Sequence, residues 1–183
     1  LAEIDGRLVT VGGNDFTVQG GSPLGIYKGA RFFLDPMSLQ YGIPCVHLHD
    51  GAGANAAMYE AEARMHLAPG TTMWWPDVQR LQSVPVVSAI MGSCAGAVAG
   101  FAMLCHFSIM VKGTGQIFPA GPPVVDRALS QDITKEDLGG TKVHCYESGV
   151  VDNEAKDEED CFRQIRQFLS YMPNNVWEVP PRK

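Results

Sequence analysis

The chain has 183 residues, of which 45% are apolar, 19% are charged and 20 are glycines. This length is typical of one domain, and the apolar content excludes an intrinsically disordered chain, which lacks the hydrophobicity to build a core. Lysine and arginine total 14 against 20 acidic residues, which gives a net charge of −6. That balance argues against a nucleic-acid-binding protein, because such proteins are usually basic.

The first half of the chain predicts strands that alternate with helices. Pro36 should kink the first helix or end it early, because proline lacks the N–H that a helix interior requires. Residues 50–54 predict a sharp turn from strand to helix. The predicted elements are two short strands or one bulged strand over 7–18, a helix at 26–41, a strand at 43–49, a helix at 55–66, a loop at 68–72 and a helix at 74–82.

The second half continues the pattern, so the sequence predicts an α/β fold with a largely parallel sheet. A second glycine-rich turn at 92–100 leads into an apolar helix that ends near Cys105. The acidic segment 152–160 is interpreted as a solvated loop and the start of a helix. The other predicted elements are strands at 85–91, 107–111 and 115–118, a loop with a helical turn at 120–129, a short helix capped by Thr134, and an amphipathic helix at 157–171.

The cysteines indicate the redox state of the protein's compartment, and the apolar run at 84–111 is tested as a membrane span. The five cysteines form no C-x-x-C pair and no zinc pattern, which favours reduced thiols in a cytosol-like compartment. The apolar run is too interrupted for a membrane span. Because the chain begins with Leu1 and its first residues already predict a strand, we expect an excerpt of a longer protein.

Two glycine-rich turns, DGAGA at 50–54 and GSCAGA at 92–97, each follow an apolar strand and open a helix. Small residues let a ligand approach the backbone closely, and the first N–H groups of a helix have no intrahelical partner. Two such groups aimed at one point would form an oxyanion hole, which stabilises a thioester oxygen as it becomes an enolate. Alternatively, the glycines only permit tight turns and close packing. That alternative is favoured for either turn alone, but two turns at equivalent positions favour a shared site.

Other motifs that would indicate a different chemistry are absent. Neither turn contains G-x-x-x-x-G-K-[ST] or G-x-G-x-x-G, so neither predicts a nucleotide site. His47 and His49 share a strand face and are interpreted as structural, and no histidine has metal-like spacing. Cys94 follows Ser93 without G-x-S-x-G or an identifiable partner base, so a buried thiol is the simpler interpretation.

Several stretches resemble the β-type carboxyltransferase subunit of biotin-dependent acyl-CoA carboxylases, a branch of the crotonase superfamily. Their order and spacing hold across nearly the whole chain, which makes the combination specific. The stretches are DGRLV at 5–9, DFTVQGGS at 15–22, GIPCVHLHDGAGA at 42–54, VPVVSAIMGSCAGA at 84–97, FSIMVKGTGQIFPAGPPVV at 107–125, TKEDLGG at 134–140, VHCYESGVVD at 143–152 and FLSYMPNN at 168–175.

The resemblance implies a crotonase-like ββα superhelix core over residues 1–172, missing its start, followed by a linker-like tail at 173–183. It also implies transfer of a carboxyl group from carboxybiotin to the α-carbon of an acyl-CoA. In that reaction carboxybiotin releases CO2, biotin removes the α-proton, and the enolate attacks CO2. Such chemistry needs positioning and oxyanion stabilisation more than a side-chain base, and no such base is evident.

The resemblance assigns the catalytic oxyanion hole to the backbone N–H groups of Gly96 and Ala97. The residues implied to line the substrate are Gly53, Ala54, Gly92, Ser93, Cys94, Ala95 and Gly121. The chain departs from the family at Ser93 and Ala97, where the family usually has proline and glycine. It also departs at Ala52 and Asn55, where the family usually has glycine and arginine.

The family subunit has two such domains, and its active sites form between the first domain of one subunit and the second domain of another. Because the chain resembles only the first, the resemblance implies half a site, completed by a second carboxyltransferase domain in a homo- or hetero-oligomer. Further implied components are a biotin carrier or biotin carboxylase subunit, biotin on that carrier and coenzyme A within the substrate. No metal, nucleic-acid partner or membrane partner is implied. The implied location is the cytoplasm, or the mitochondrial matrix in a eukaryote.

Two alternatives stay open. A biotin-dependent acyl-CoA decarboxylase subunit uses the same parts, and the departures at Ala97, Ala52 and Asn55 fit a non-catalytic acyl-CoA-binding or scaffold subunit. A crotonase-type hydratase is disfavoured because it would need a carboxylate pair near the second turn, and no acidic residue lies between Asp77 and Asp126.

Overall fold

The computed structural model describes residues 1–22, 31–53 and 77–181. The predicted helix at 55–66 and the loop at 68–72 lie outside the described residues, as do the first residues of the helices predicted at 26–41 and 74–82. No helix in the described ranges combines the length and the apolar character needed to cross a bilayer.

Seven strands of the described residues form one sheet, in which the first pair is antiparallel and the other pairs are parallel. They lie in the order β1-β2-β3-β4-β5-β7, and β6 pairs with the end of β4 that extends beyond β5. The strands are β1 (Ala2–Ile4), β2 (Arg7–Gly13), β3 (Cys45–Gly51), β4 (Val86–Ala95), β5 (Phe107–Val111), β6 (Gln116–Phe118) and β7 (Asn153–Ala155).

The described helical segments connect or flank these strands, which confirms the predicted α/β class. They are α1 (Arg31–Tyr41), α2 (77–81), α3 (Ala97–Ala102), α4 (Pro122–Leu129), α5 (Lys135–Gly139) and α6 (Glu158–Ser170). A 3₁₀ turn covers Gln19–Gly21 and a π-helical turn covers Lys142–Glu147. Pro36 lies inside α1, which continues to Tyr41, so of the two predicted effects of this proline, a kink or an early end, the early end does not occur.

The antiparallel pair β1–β2 is a hairpin that differs from the prediction over 7–18. Its turn residues, Asp5 and Gly6, have φ of 50° and 77°. A two-residue turn with both residues left-handed is type I′, for which Asp-Gly is a preferred sequence. Residues 16–18 form a turn and no strand follows directly after β2, so its antiparallel partner is β1 and its other partner is the parallel strand β3.

β4 is longer than predicted and the second turn is correspondingly shorter. The strand continues through Ala95 because β6 supplies parallel partners there, with Ser93 opposite Gln116 and Ala95 opposite Phe118. The predicted turn at 92–100 is therefore reduced to Gly96, and α3 begins at once.

The acidic segment 152–160 is more ordered than the predicted solvated loop. Asp152 accepts hydrogen bonds from the N–H and the hydroxyl of Ser108, both over 2.8 Å, and the next three residues form β7 beside β5. The start of α6 is as predicted: the Asp157 carboxylate accepts the Asp160 N–H over 2.8 Å, an N-cap that satisfies a free helix donor.

Both faces of the sheet carry apolar layers. On one face α6 covers the strands, and the Phe107 and Phe168 rings stack with centroids 4.8 Å apart. Buried residues of this layer are Val9, Val46, Val87, Ala89, Ile109, Val111, Ala155, Cys161, Ile165 and Leu169. On the other face α3 packs its buried Val98 and Ala99 against Ile90 and Cys94 of β4. α3 thereby starts directly over the end of β4.

Arg80 of α2 is completely buried and links α2 to α1 through an ion pair. Its guanidinium pairs with Asp35, and its Nη2 lies 2.7 Å from Oδ1 of Asp77. A buried charge is tolerated only when it is paired, so loss of Arg80 would leave two buried carboxylates without this positive charge.

Candidate functional site

The two glycine-rich turns meet at the carboxyl ends of β3 and β4. After a register shift, Gly51 lies opposite Cys94. Gly53 follows with φ of +87°, and a Cβ there would stand 2.7 Å from the carbonyl oxygen of Ala95. Glycine is required at 53 because of both the left-handed backbone and this close approach. The two turns are thus in direct backbone contact.

The second turn places an exposed helix N-terminus beside this contact. Gly96 is the N-cap of α3, with φ of 58° and ψ of −125°, and Ala97 is the first helical residue. Both residues are exposed. As the first residue of the helix, Ala97 has an N–H without an intrahelical acceptor.

The Gly96 N–H is used within the fold. It lies 3.2 Å from the carbonyl oxygens of both Phe118 and Pro119, a three-centre hydrogen bond that ties the turn to the end of β6. Of the two N–H groups that the resemblance assigns to the oxyanion hole, that of Gly96 is bound to the end of β6, and Ala97 is the exposed first residue of α3.

The first turn is supported by the 3₁₀ turn at Gln19–Gly21. The Ala52 N–H donates to the Gly20 carbonyl over 2.7 Å, and the Asn14 side-chain amide donates to the Gly21 carbonyl over 3.1 Å. Ala52 is exposed and Gly53 is buried. Ala54 lies outside the described residues, as does Asn55.

Asp50 lies beside the second glycine-rich turn, and the sequence analysis did not single it out. Its carboxyl lies against the backbone of Gly92, where any side chain would overlap it. Burial raises the pKa of this carboxyl, while the positive charge of Lys135 opposes that rise. Its place at the head of the DGAGA segment was the available signal, since an ionisable residue at the end of a buried strand is unusual.

Ser93 joins a polar chain rather than lining an apolar wall. Its hydroxyl donates to Oε1 of Gln116 over 2.7 Å and accepts from Nζ of Lys135 over 3.2 Å. Nε2 of Gln116 donates in turn to Oε2 of Glu136 over 3.2 Å. Sequence reasoning missed Gln116, Lys135 and Glu136; the only signal was a polar residue, Gln116, at the start of a predicted strand.

The remaining predicted substrate-lining residues differ in what they expose. Cys94 is fully buried, which confirms the interpretation as a buried thiol, and this burial raises the pKa of the thiol to about 12. Ala95 is half-buried and offers the carbonyl that meets Gly53. Gly121 is the N-cap of α4, against the Phe118 ring.

Asp35, Cys45 and His47 are buried and place one potential ligand atom each within 4.8 Å of one another, a donor set of the kind that zinc binds. The sequence showed no metal-like spacing because Asp35 comes from α1 and the other two come from β3. Asp35 is already paired with Arg80, whose positive charge opposes a cation at the same carboxylate. We therefore interpret this cluster as part of the fold.

Two cavities among the described residues lie away from the turns. One of about 430 Å³ is bordered by residues 81–85, His106, Phe168 and Met172. The other, of about 160 Å³, lies between the sheet and α6 and includes Ile4 and Phe162. Neither is lined by a predicted site residue, and Gly96 and Ala97 face outward instead.

Residues 2–183 match the family described as the carboxyl transferase domain. The methylmalonyl-CoA decarboxylase subunit alpha of Veillonella parvula is 37% identical over 179 residues, covering 97% of this chain and 34% of the relative. The mitochondrial propionyl-CoA carboxylase beta chain of Homo sapiens is 35% identical over 178 residues, covering 97% of this chain and 32% of the relative. The chain thus spans about a third of the length of these curated relatives.

Solved structures agree in fold. A transcarboxylase 12S structure, described as a hexamer with methylmalonyl-coenzyme A and methylmalonic acid bound, superposes with a TM-score of 0.83 at 28% identity. The matched region covers 98% of this chain and 34% of the transcarboxylase chain. These likenesses confirm the resemblance inferred from the sequence and its crotonase-like α/β core.

Proposed function

Since the chain belongs to the carboxyl transferase domain family, we propose that it supplies the acyl-CoA-binding half of a carboxyltransferase active site in a biotin-dependent acyl-CoA carboxylase. The observation that carries the proposal is the contact of the two glycine turns, where the backbone of Gly53 packs against the Ala95 carbonyl. It supports a shared site because ligands of α/β sheets bind outside the carboxyl ends of the strands, where this contact lies.

Ala97 is the proposed oxyanion donor. Its N–H stands at the start of α3, is exposed, and has no intrahelical acceptor. It would donate to the thioester oxygen of the acyl-CoA, which gains negative charge as the α-proton leaves. Gly96 contributes its left-handed conformation, which sets the direction of the Ala97 N–H, and it keeps its own N–H on β6.

The substrate is proposed to lie along both turns. Gly53, Ala54, Gly92, Ser93, Ala95 and Gly121 would line it, with Cys94 contributing backbone only. Glycine is required by the fold at 53 and 92, and Gly96 and Ala97 are exposed, which fits a ligand held by main-chain groups. Biotin on a separate carrier would supply the carboxyl group and the base that removes the α-proton.

The proposal includes the partners that such a half-site needs. A second carboxyltransferase domain would close the outward-facing turns in a homo- or hetero-oligomer, and a biotin carrier or biotin carboxylase subunit would deliver the carboxyl group. Residues 1–172 would form the domain and 173–183 the linker. The proposed setting is the cytoplasm, or the mitochondrial matrix in a eukaryote, with no metal, nucleic acid or membrane involved in the reaction.

A biotin-dependent decarboxylase is the second candidate function. The observation that favours it is the 37% identity to a relative named as a methylmalonyl-CoA decarboxylase subunit. Decarboxylation passes through the same enolate, so Ala97 would have the same task. A non-catalytic acyl-CoA-binding subunit is the third candidate, since Ala97 adds a methyl group where the family usually has glycine.

Turnover by the assembled holoenzyme tests the proposal. Purified holoenzyme is assayed for carboxybiotin-dependent carboxylation of acetyl-, propionyl- and methylcrotonyl-CoA, beside a carboxylase of known activity. We expect a carboxylated acyl-CoA product. Carboxylate loss from a malonyl-type CoA, without net carboxylation, would favour the decarboxylase. Acyl-CoA binding in calorimetry without any turnover would favour the scaffold.

A further inference from the structure

A directed chain of hydrogen bonds lies beside the second glycine turn. Nζ of Lys135 donates to the Ser93 hydroxyl over 3.2 Å, that hydroxyl donates to Oε1 of Gln116 over 2.7 Å, and Nε2 of Gln116 donates to Oε2 of Glu136 over 3.2 Å. The chain starts at an ammonium group and ends at a carboxylate. Each link polarises the next, which strengthens such chains.

The hydrogen-bond chain joins β4, β6 and α5 at the end of β4 that extends beyond its pairing with β5. Ser93 on β4 and Gln116 on β6 are register partners, so their hydrogen bond crosses the strand pair directly. Lys135 and Glu136 are neighbours on α5. Gln116 is only 5% exposed, so its amide depends on these partners and would be left unsatisfied without them.

The end of β6 in turn holds the second glycine turn. Phe118 and Pro119, two and three residues beyond Gln116, provide both carbonyls that accept the Gly96 N–H. A second contact steadies the same strand: Nε2 of His144 donates to the Ile117 carbonyl over 2.8 Å. Any shift of β6 therefore moves Gly96, and with it the direction of the Ala97 N–H.

We propose that Gln116 is a positioning residue that, tied to Ser93, Lys135 and Glu136, holds β6 so that the Ala97 N–H points at the reacting oxygen. This inference rests on the proposed function for its effect on catalysis. Gln116 acts through Gly96 and not by touching the substrate. A small displacement of an oxyanion donor reduces the stabilisation of the transition state more than that of the bound ground state. We therefore expect the effect in kcat and not in KM.

Kinetics of the holoenzyme test the role of Gln116. Gln116→Met keeps the side-chain volume and removes both hydrogen bonds; we expect kcat to fall about tenfold with KM for the acyl-CoA within about twofold. Lys135→Ala should lower kcat by about threefold and Lys135→Arg should recover most of that loss, since arginine keeps a charged donor. Lys142→Ala, at another exposed lysine, is the matched control and should match the wild type.

A rise in KM with unchanged kcat would overturn the proposal, because it would indicate direct substrate contact. An unchanged kcat in Gln116→Met would overturn it as well.

Hydrogen exchange keeps the test independent of turnover. In Gln116→Met, the peptide that contains Gly96 and Ala97 should exchange about tenfold faster, because its bond to β6 loosens, while peptides of α6 keep their wild-type rates. Unchanged exchange at Gly96 would contradict the inference even with an inactive wild type. If wild type shows no turnover but exchange responds, the proposed function fails and the structural coupling stands. If Gln116→Met does not fold, Glu136→Ala, which removes the half-buried acceptor of Gln116 outside the proposed site, takes its place in both measurements.

Discussion

Gly96 combines φ of 58° with ψ of −125°, the mirror image of the extended conformation that ordinary residues adopt. Glycine reaches that region without the steric cost that a Cβ would bring. Through this residue the chain turns from β4 into α3 within one position, so the Ala97 N–H faces outward while the Gly96 N–H stays on β6. At the residue scale, the proposed chemistry rests on main-chain direction, and side chains serve to hold it.

The Ala97 donor can be removed without removing the helix. Proline is well tolerated at the first helical position, and the residue before proline favours extended backbone, whose mirror image glycine adopts equally well. Ala97→Pro should therefore fold normally and lower kcat by about 10²–10³-fold, the loss typical of one oxyanion donor. Steady-state kinetics of the holoenzyme, with circular dichroism as a check on folding, measures this.

Glu158→Pro is the matched control, because Glu158 is likewise the first residue of its helix but lies on α6. It should lose little activity. Wild-type kcat in Ala97→Pro would exclude this N–H as an oxyanion donor.

Asp50 predicts a pH-dependent stability. Its pKa is raised mainly by burial, so the native state holds the proton more tightly than the unfolded state. The ionised carboxyl therefore costs stability above its folded pKa, and the cost vanishes as pH falls below the unfolded value. Asp50→Asn, which stays neutral, should melt higher than wild type at pH 7, with a difference that closes in acid.

Asp160 provides a control of opposite sign. Its pKa is lowered, first by its hydrogen bond with Arg163, so its ionised form stabilises the native state. Asp160→Asn should melt lower than wild type at pH 7, and this difference should also close as pH falls through the lowered pKa. Thermal melts of both variants between pH 3 and pH 7 decide the matter; shifts of equal sign at pH 7 would contradict the assignment.

At the element scale, α5 is a short helix that braces β6. Gly139 packs so closely on the Ile117 carbonyl that a Cβ would overlap it, and the same helix supplies Lys135 and Glu136 to the hydrogen-bond chain. A helix of five residues has little stability of its own, so its cap matters. Thr134 is that cap, accepting the Asp137 N–H over 3.1 Å.

Loss of the α5 cap should therefore be measurable. Thr134→Ala removes the accepting oxygen and should lower the free energy of unfolding by about 1 kcal/mol. Urea denaturation followed by fluorescence measures the change. Thr134→Ser keeps the oxygen and should stay near wild type; equal losses in both variants would show that the methyl group, not the cap, is responsible.

At the scale of the whole molecule, β4 lies in the middle of the sheet. It pairs with β3 on one side, and on the other side it pairs first with β5 and, nearer its carboxyl end, with β6. Val86, Val87, Ala89 and Ile90 are completely buried in it. The β1–β2 hairpin lies at the edge, where one side of β1 has no partner strand in the described part of the chain. The molecule thus has a central scaffold that carries the site and a peripheral hairpin that does not.

Native-state hydrogen exchange should reproduce this division. Amides of β4 and β5 should exchange only through global unfolding, since their partners lie in the buried centre of the sheet. Amides of β1 should exchange through local opening at a markedly lower free energy. Equal protection of both regions, measured against denaturant concentration, would contradict the division.

Local patterns in the sequence were sufficient for part of this structure. The alternation of apolar strands and helices predicted the α/β class. Thr134 predicted the start of α5, the amphipathic pattern at 157–171 predicted α6, and the ordered motifs identified the family. These features depend on neighbours in sequence, where period and capping chemistry are set. The two glycine turns were also visible as candidates, because small residues after a buried strand are a local signal.

Tertiary contacts decided the rest. Pairing with β6 extends β4 through Ala95, and carbonyls at the end of β6 accept the Gly96 N–H. Residues 153–155 pair with β5 as a strand, and the Asp50 carboxyl contacts Gly92. Gln116 acquired its partners from β4 and α5. Each of these pairings joins residues far apart in the chain, and a backbone donor or a buried amide is satisfied by whichever group the fold brings within reach. The sequence by itself therefore determined the fold class, the family and the two turns, whereas only the tertiary structure decided which N–H faces outward and which side chains hold it.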